Sequence, residues 1–559
     1  MSVFNSHLNK FIMKKSASYI LLLLVVCCTY SCTTKDLETL PLTELSSQTF
    51  WKSEQDASMG LTACYSGLSQ DDDPNHFWYV TFMDAATDNA YSRDTWMGAQ
   101  VIGNGTSTAA NPGRNYYKYT RIRRCNLFIE NIDKVTMDET RKKKWKAEAR
   151  FLRAFNYFVM VQLYGGVPLV DKTLGGEEKL PRSTEEQCVA WIIKELGEAA
   201  TDLPVQNYIQ SGGHVTKGAA LALKARVELF YRKWDDAITD AKAVMDMDGT
   251  FELYADYRGL FLVGNKLNQK EWLYAQQYAP TAASGTSLYP VLVPYGDLTD
   301  GWASINPADN LAQAYEVIDG TTINEGSPLY NPNNPYKNRD PRLNATLIAP
   351  GEFWKDRYFD PWKKFYTEGS RKGQQNLDYW ADWRGARTGY LLKKFVEPIT
   401  SDQNNKAGQD MPLIRFAEAF LIYAEAKIEK GEPDASMYNA IDKVRMRAGM
   451  PKVDRLKYST QGKLRELVRR ERRVEFAMEG LRYYDIKRWD IGAQVIPGPL
   501  LTAKESNVNG ETGQLTFAAD AKTYTIETRT FHADRKYLWP IPQGELDANK
   551  GSITQNPGY

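Results

Sequence analysis

ERRVEFAMEGLRYYDIKRW, residues 471–489, decides the fold together with LRELVRR, residues 464–470, which precedes it. Apolar side chains recur through both stretches at helical spacing, namely Leu464, Leu467, Val468, Val474, Met478 and Leu481. Glu471, Glu475 and Glu479 follow one another at intervals of one helical turn, so they lie in a row on the same side. The stretch therefore predicts an amphipathic helix that carries a line of carboxylates.

This row of carboxylates has two interpretations. Two such acids could supply the general acid and the general base of an enzyme. Alternatively, the row is a structural ladder of ion pairs with Arg472, Arg482 or neighbouring arginines. Arginines are frequent throughout the stretch, and this favours the ladder.

Two pairs of short helices are predicted elsewhere in the chain, at residues 221–246 and 415–449. In each pair, alanines line the facing sides and a tight turn separates the helices, which is typical of a tetratricopeptide hairpin. KAEARFLRAFNYFVMVQLYGG, residues 146–166, predicts a further helix, followed by the strand-like VPLV at residues 167–170. The two hairpins lie too far apart in sequence for a fixed period of about 34 residues, so the chain is not a plain solenoid.

Residues 250–410 differ from the helical parts in composition. They are rich in Gly, Pro and Asn, and they contain Trp302, Trp354, Trp362, Trp380 and Trp383. Long loops of a large compact protein are either functional or disordered, and a high aromatic content argues against disorder. Aromatic residues make up 12 % of the whole chain, so we expect this loop-rich part to carry function.

The start of the chain has the pattern of a cleaved signal. The apolar core at residues 19–28 has about ten residues, half of what a membrane-spanning helix needs. Lys14 and Lys15 precede it, and the phrase that begins at Met13 is a complete signal by itself.

Ser31 stands directly before Cys32, the arrangement that a bacterial lipoprotein peptidase requires. We predict that residues 1–31 are removed, that Cys32 carries a lipid, and that residues 32–45 form a tether. The alternative is plain secretion with an incidental cysteine.

Charge and metal-ligand types exclude several classes of function. Removal of residues 1–31 takes away three of the 70 basic side chains and none of the 69 acidic ones, so the mature chain is almost neutral. A nucleic-acid partner needs a concentrated positive field and is not expected. The remaining cysteines and histidines are scattered, which predicts no disulfide framework, no metal site and no cofactor. DDDPN at residues 71–75 lacks a correctly spaced Glu, so a structural calcium ion is not predicted either.

Five phrases along the chain form an ordered set. They are SCTTKDLETLPLTELSSQTFWKSEQDA, FLRAFNYFVMVQLYGGVPLV, RFAEAFLIYAEA, ERRVEFAMEGLRYYDIKRW and YLWPIPQGELDANKGSITQNPGY. In these phrases and in their order, the chain resembles the SusD/RagB family of Bacteroidetes outer-membrane lipoproteins.

The resemblance implies a mainly α fold, in which tetratricopeptide-type helix pairs pack against an irregular, loop-rich ligand-binding face. It implies an N-terminal helical region at residues 46–250 and a C-terminal region at residues 251–559, with a loop-rich part at 251–410 and a helical part at 411–490. It further implies a lipid-anchored binding protein at the cell surface that serves as the lid of a TonB-dependent, SusC-like transporter. The partners would be that transporter and a glycan, with the membrane reached through the lipid alone.

The candidate ligand site lies in two aromatic stretches that lack helical periodicity. A sugar ring has one apolar face and a fringe of hydroxyls, so its site needs aromatic rings together with polar side chains. The first stretch, residues 84–98, supplies Tyr91, Arg93, Asp94 and Trp96, and its Asp88-Asn89 is expected to hold the backbone. The second, residues 287–306, supplies Tyr289, Tyr295, Asp297 and Trp302.

Other tryptophans rank below these candidates. Trp354, Tyr379, Trp380 and Trp383 are second candidates, whereas Trp145, Trp191 and Trp234 lie on predicted helices and are expected to pack. Three alternatives to glycan capture stay open: a peptide ligand, a glycoside hydrolase that uses two carboxylates, and a protein scaffold built on the helix pairs.

Overall fold

The computed structural model of the protein describes residues 50–66, 83–175, 178–279, 291–296, 301–397 and 408–559. The predicted signal, Cys32, the tether and the DDDPN turn lie outside these residues.

Helices make up most of the regular structure. In the first half they are α1 (Glu54–Tyr65), α2 (Ala99–Gly103), α3 (Thr120–Asn131), α4 (Glu139–Tyr164), α5 (Glu185–Asp202), α6 (Lys217–Phe230) and α7 (Trp234–Met245). In the second half they are α8 (Asp309–Ala312), α9 (Pro341–Thr346), α10 (Phe416–Lys430), α11 (Ala435–Arg447), α12 (Gln461–Glu475), α13 (Leu481–Trp489), α14 (Gly492–Val495) and α15 (Gln543–Ala548). The mainly α fold is thus confirmed.

The strands are short and form two-stranded antiparallel pairs. They are β1 (Ala90–Ser92) with β3 (Ile305–Pro307), β2 (Trp272–Gln276) with β8 (Met411–Arg415), β4 (Leu347–Ile348) with β7 (Leu391–Leu392), β5 (Phe353–Trp354) with β6 (Arg357–Tyr358), β9 (Gly498–Leu501) with β12 (Thr525–Arg529), and β10 (Asn507–Val508) with β11 (Leu515–Thr516). VPLV at residues 167–170, which was expected to be strand-like, forms no strand. Pro168 removes one of its backbone donors, and the carbonyl of Val170 accepts from the Asn126 side chain at 2.9 Å.

Side-chain caps fix where several helices begin. At α5 the hydroxyl of Thr184 accepts from the Gln187 backbone at 3.2 Å, and the Gln187 side chain accepts from the Thr184 backbone at 2.9 Å. At α11 the carboxylate of Asp434 accepts from the Met437 backbone at 3.0 Å. These contacts satisfy amides that would otherwise lack a partner at the start of a helix.

The two predicted hairpins, α6–α7 and α10–α11, are both present, and they lie side by side because α7 packs against α10. The helices α4, α5, α6 and α7 each pack on the next one, and α10 continues this row to α11 and α12. Ala241 and Ala424 are fully buried, as are most of the other alanines on the facing sides. Small side chains let the helix axes approach closely. The long segment that connects α7 to α10 lies outside this row of helices, because α7 and α10 are direct neighbours in it.

The stretch that predicted a single helix forms two. α12 ends at Glu475, and α13 begins at Leu481 after a break in which Met478 and Gly480 have φ of 65° and 80°. Gly480 tolerates this left-handed conformation without cost. Its amide donates to the buried carboxylate of Asp84 at 2.6 Å, so a tertiary contact stabilises the break.

The carboxylate row is a structural ladder, as interpreted, but its partners differ from those expected. Arg472 pairs with Asp485 at 3.1 Å and Arg482 with Asp88 at 2.9 Å. The three glutamates instead bind cations from distant segments.

Glu475 is at the centre of this ladder. Arg342 and Arg415 each donate to it at 3.0 Å, and Arg447 binds the same carboxylate. Burial alone would raise the pKa of Glu475, but these arginines hold it far below its usual value. All four side chains are almost completely buried, so the ladder ties α12 to α9, β8 and α11 from inside.

Glu471 and Glu479 extend the ladder in both directions. Glu471 accepts from Arg342 at 2.6 Å and from Arg445 at 2.9 Å. Glu479 accepts from Lys394 at 2.7 Å, which joins the loop-rich part to the helical frame. Within the described residues, no helix is long and apolar enough to cross a membrane.

Candidate functional site

The two predicted loop stretches lie next to each other. β1 and β3 pair in antiparallel fashion, with Tyr91 opposite Asn306. Directly after β1, the Arg93 amide donates to the Ser304 carbonyl at 2.8 Å. A third segment joins them, because the Arg387 amide donates to the Asn306 side chain at 3.1 Å. The segments at residues 90–93, 304–307 and 387 therefore meet, and the side chains next to them share one surface.

Two of the predicted tryptophans contact each other on this surface. The ring centroids of Trp96 and Trp302 are 6.4 Å apart and the rings are perpendicular, a favoured arrangement for an aromatic pair. Trp96 is 47 % exposed, whereas Trp302 is half-buried and packs on the hydrophobic core. Trp302 thus supports Trp96, which faces solvent.

A second exposed tryptophan stands beside this pair. Trp383 is 63 % exposed, and the Arg93 guanidinium lies over its ring at 5.5 Å while donating to its carbonyl at 2.9 Å. Arg384 lies over the same ring at 4.2 Å and over the Tyr295 ring at 5.1 Å. We call Trp96, Trp302, Trp383 and Tyr295 the aromatic platform.

The predicted polar residues hold the platform in place. Arg93 forms a bidentate ion pair with Asp94, at 2.9 and 2.7 Å from Nη2. The Ser304 hydroxyl donates to the same carboxylate. Arg93 and Asp94 thus bind each other and their neighbours inside the protein, and their predicted role as ligand contacts stays a prediction.

Tyr91 lies on β1 and is half-buried. Gln100 donates to that hydroxyl at 3.2 Å and to the Ser92 carbonyl at 2.7 Å. Burial raises the pKa of Tyr91, so the hydroxyl stays protonated at neutral pH and remains a donor.

Tyr295 is anchored through its neighbour Gly296. The Gly296 amide donates to Asp378 at 2.9 Å, and Arg371 donates to the Gly296 carbonyl at 2.9 Å. Asp378 is buried and paired with Arg357. A rigid support of this kind fixes the ring without the need for a helix or strand. The candidates Tyr289 and Asp297 lie outside the described residues.

The second candidates divide into two groups. Trp354 is 6 % exposed, which contradicts a role at the ligand face, and Arg258 lies over its ring at 5.7 Å. Trp380 is half-buried and stacks on Tyr524 at 4.8 Å. Tyr379 precedes Trp380 on the same loop and is also half-buried. Among the four second candidates, Trp383 alone is exposed and belongs to the platform.

The tryptophans assigned to packing do pack. Trp145, Trp191 and Trp234 lie on α4, α5 and α7, half-buried against the core. Trp191, for example, meets Tyr157 at 4.9 Å.

Asp88 and Asn89 hold the backbone below the platform, as predicted. Asp88 pairs with Arg473 and Arg482, each at 2.9 Å. Asn89 donates to Asp84 at 2.8 Å and accepts from Arg473 at 2.8 Å. Burial alone would raise the pKa of Asp88, but the two arginines hold it at about 2. The loop is thereby fixed to the helical frame at α12 and α13.

Sequence reasoning did not name Arg384, and it gave Trp383 only as a second candidate. The phrase ADWRGAR at residues 381–387 carried a signal, because it places an aromatic ring and two arginines beside a glycine. No group of three His, Cys, Asp or Glu side chains in the described parts of the chain could hold a metal ion.

Exposed rings beside guanidinium groups on fixed loops suit a ligand with apolar faces and hydroxyl edges. The fold and this surface together define a helical protein with an aromatic surface built from loops. Comparison with known proteins identifies its family. The model of the SusD family matches residues 268–559, and a model described as starch-binding and associating with the outer membrane matches residues 42–229. The chain belongs to the SusD family.

Several relatives are similar over almost their full length. A SusD-like carbohydrate-binding protein from Bacteroides fragilis of known structure is 31 % identical, with a TM-score of 0.77 over 89 % of this chain and 99 % of that one. SusD-like protein P38 of Formosa agariphila is 26 % identical over 83 % of this chain and 89 % of its own. The starch-binding protein SusD of Bacteroides thetaiotaomicron is 25 % identical over 88 % of this chain and 87 % of its own length.

Proposed function

We propose that the protein captures an oligosaccharide or polysaccharide on the aromatic platform at the cell surface. The observation that carries this proposal is the convergence of Trp96, Trp383 and Tyr295 from three separate loops, each held by buried polar contacts. The carbohydrate-binding character of the family and of the Bacteroides fragilis relative supports it.

We further propose that the protein is a lipoprotein anchored in the outer membrane through Cys32. In this arrangement it serves as the lid of a TonB-dependent, SusC-like transporter, which takes the glycan onward. The family's association with the outer membrane supports the location. Mass spectrometry of the mature N-terminus tests the anchor, and co-purification with a SusC-like barrel transporter from the native cell envelope tests the lid.

Binding without turnover is part of the proposal. The carboxylate row is buried and bound to cations, and Asp94 on the platform is bound to Arg93 and Ser304. These acids are therefore not free to exchange protons with a glycan.

A panel of polysaccharides and peptides in calorimetry, with chromatography of the incubated glycans, tests the function. We expect saturable glycan binding that Trp383→Ala and Trp96→Ala weaken, with no new products. Trp191→Phe, a variant at a packing position, is the control and should bind normally. Binding of peptides alone would replace the glycan by a peptide ligand, and glycan products would make the protein a hydrolase.

A further inference from the structure

Two of the three cysteines in the described parts of the chain meet in the core. Cys64 lies on α1 and Cys125 on α3, and both are almost completely buried as free thiols. The two thiols are in hydrogen-bonding contact, and this contact together with burial raises the pKa of Cys64 well above its usual value. The sequence separates these residues widely, so only the fold shows that they are neighbours.

The packing of α1 on α3 accounts for the same contact independently. Gly60 faces Phe128, because a Cβ atom on Gly60 would lie 3.2 Å from the Phe128 ring. Cys64 follows Gly60 by about one turn of α1, and Cys125 precedes Phe128 by about one turn of α3. Antiparallel helices that meet at the first pair of residues therefore also meet at the cysteines. Trp51 packs on the Phe128 ring with centroids 5.8 Å apart and supports this register.

The third cysteine, Cys188, has a different environment. It lies on α5, and its thiol donates to the Val167 carbonyl at 3.4 Å. Burial raises its pKa, so it stays protonated at neutral pH. Because a backbone acceptor satisfies this thiol, Cys188 is an internal reference for a cysteine that stays reduced.

We propose that Cys64 and Cys125 form a disulfide bond in the mature protein. Its formation in the cell rests on the proposed function, which places the chain outside the cytoplasm, where disulfides form and persist. Sulfur atoms already in contact have only to close to the bond length of about 2.05 Å. The bond ties α1, the first described helix after the proposed tether, covalently to the helical frame.

The oxidant is a disulfide, as carried by a thiol–disulfide oxidoreductase of the cell envelope. The Cys125 thiolate attacks one sulfur of that disulfide, forms a mixed disulfide and releases the first oxidant thiolate. The Cys64 thiolate then attacks the Cys125 sulfur, which forms the new bond and releases the second oxidant thiolate. The two cysteine protons pass through solvent to the released thiolates, and the two electrons reduce the oxidant to a dithiol. Because burial disfavours the attacking thiolate, the exchange takes place while the chain folds.

Differential alkylation and peptide mapping of the full mature protein test the bond. Unreduced protein is denatured, alkylated, digested with trypsin and analysed by mass spectrometry. Trypsin separates the cysteines, because residues 53–93 carry Cys64, residues 125–134 carry Cys125, and a third peptide carries Cys188. We expect the first two peptides to be linked, with the loss of two hydrogen atoms, and the third to be alkylated. Reduction before alkylation should release both linked peptides.

Two preparations separate this proposal from the proposed function. One is protein from the envelope of the native cell, and the other is protein made in a reducing cytosol and refolded with oxidised glutathione. Fractionation of the native cells tests the location by itself. If the protein is found in the cytoplasm, the location fails and the refolded protein decides the pairing. Alkylated Cys64 and Cys125 in envelope-derived or in refolded protein would overturn the proposal, as would a bond from either one to Cys188.

The melting temperature gives a second measurement. Reduction should lower that of the wild-type protein by about 2 to 4 °C, because the bond closes a long loop of the unfolded chain. Cys64→Ala removes one partner, so a reductant should leave the melting temperature of this variant unchanged. Cys188→Ser is the matched control and should respond like the wild type. An equal response in the Cys64→Ala protein would also overturn the proposal.

Discussion

Replacing Glu475 by Gln removes one charge from the centre of the buried ladder and changes the shape of the side chain little. In the native protein, Arg342, Arg415 and Arg447 all bind this carboxylate. The ladder contains as many acids as cations: Glu271, Glu316, Asp340, Glu471, Glu475 and Glu479 against Arg342, Lys394, Arg415, Arg445, Arg447 and Arg470. The variant leaves one positive charge uncompensated in the interior.

The expected loss in the free energy of unfolding is about 3 to 5 kcal/mol, the usual result of removing one member of a buried pair. The other acids keep each arginine partly paired, so the lower end of this range is the better expectation. Glu252→Gln is the matched control, because Glu252 and Lys270 form an ion pair at 2.9 Å with side chains 55 % and 41 % exposed. The control variant should lose less than about 1 kcal/mol in its free energy of unfolding.

Urea unfolding followed by far-ultraviolet circular dichroism measures both variants. The pH dependence gives a second measurement, because arginines hold the pKa of Glu475 below its unfolded value of about 4.3. The stabilisation is present above that pH and lost as the pH falls below it. The difference between wild type and Glu475→Gln should therefore shrink below about pH 4. A loss at pH 7 no larger than that of the control would refute the buried-charge reasoning.

Three further results are expected. Trp383→Ala should weaken glycan binding at least about tenfold in calorimetry with an unchanged melting temperature, as for an exposed aromatic anchor; unchanged affinity would remove Trp383 from the site. Asp88→Asn should lower the free energy of unfolding by about 2 kcal/mol at pH 7, because the pKa of Asp88 is about 2 in the folded protein and 3.8 in the unfolded chain, which stabilises the fold above pH 4. The difference in stability between wild type and variant should shrink at pH 2, and an undiminished difference there would contradict this. Ala241→Leu should lower the free energy of unfolding in urea by about 1 to 3 kcal/mol, because the larger side chain does not fit the buried contact between α7 and its neighbouring helices. An unchanged stability would show that these helices can move apart to admit it.

The helices could be predicted well because their cause is local. Apolar spacing, alanine-lined faces and capping residues act within a few positions of the chain. The break after Glu475 could not be predicted from the stretch alone, since its stabilising partner, Asp84, is almost 400 positions away. The same limit applies to the ladder: the row of glutamates is visible in the sequence, but Arg342 and Arg415 become its partners only through tertiary packing.

The platform was predictable as a region and less so as a set of contacts. Aromatic residues of the two loop stretches were recognisable by composition, and the structure brings Trp96 and Trp302 together. Arg93 and Asp94 look like ligand contacts in a sequence, yet they neutralise each other. Trp354 and Trp383 look alike in the sequence, and only the folded structure shows that the first is buried and the second exposed.

The row of helices continues directly from α7 to α10, although about 170 positions of the chain separate these helices. The loop-rich part is therefore an insertion between two helices that pack directly against each other. Changes in loop length or sequence there need not disturb the frame, provided that anchors such as Lys394 are kept. Exchange of the loops between these anchors is therefore expected to change the exposed surface and to leave the helical frame in place, which suits these loops to chimeric protein engineering.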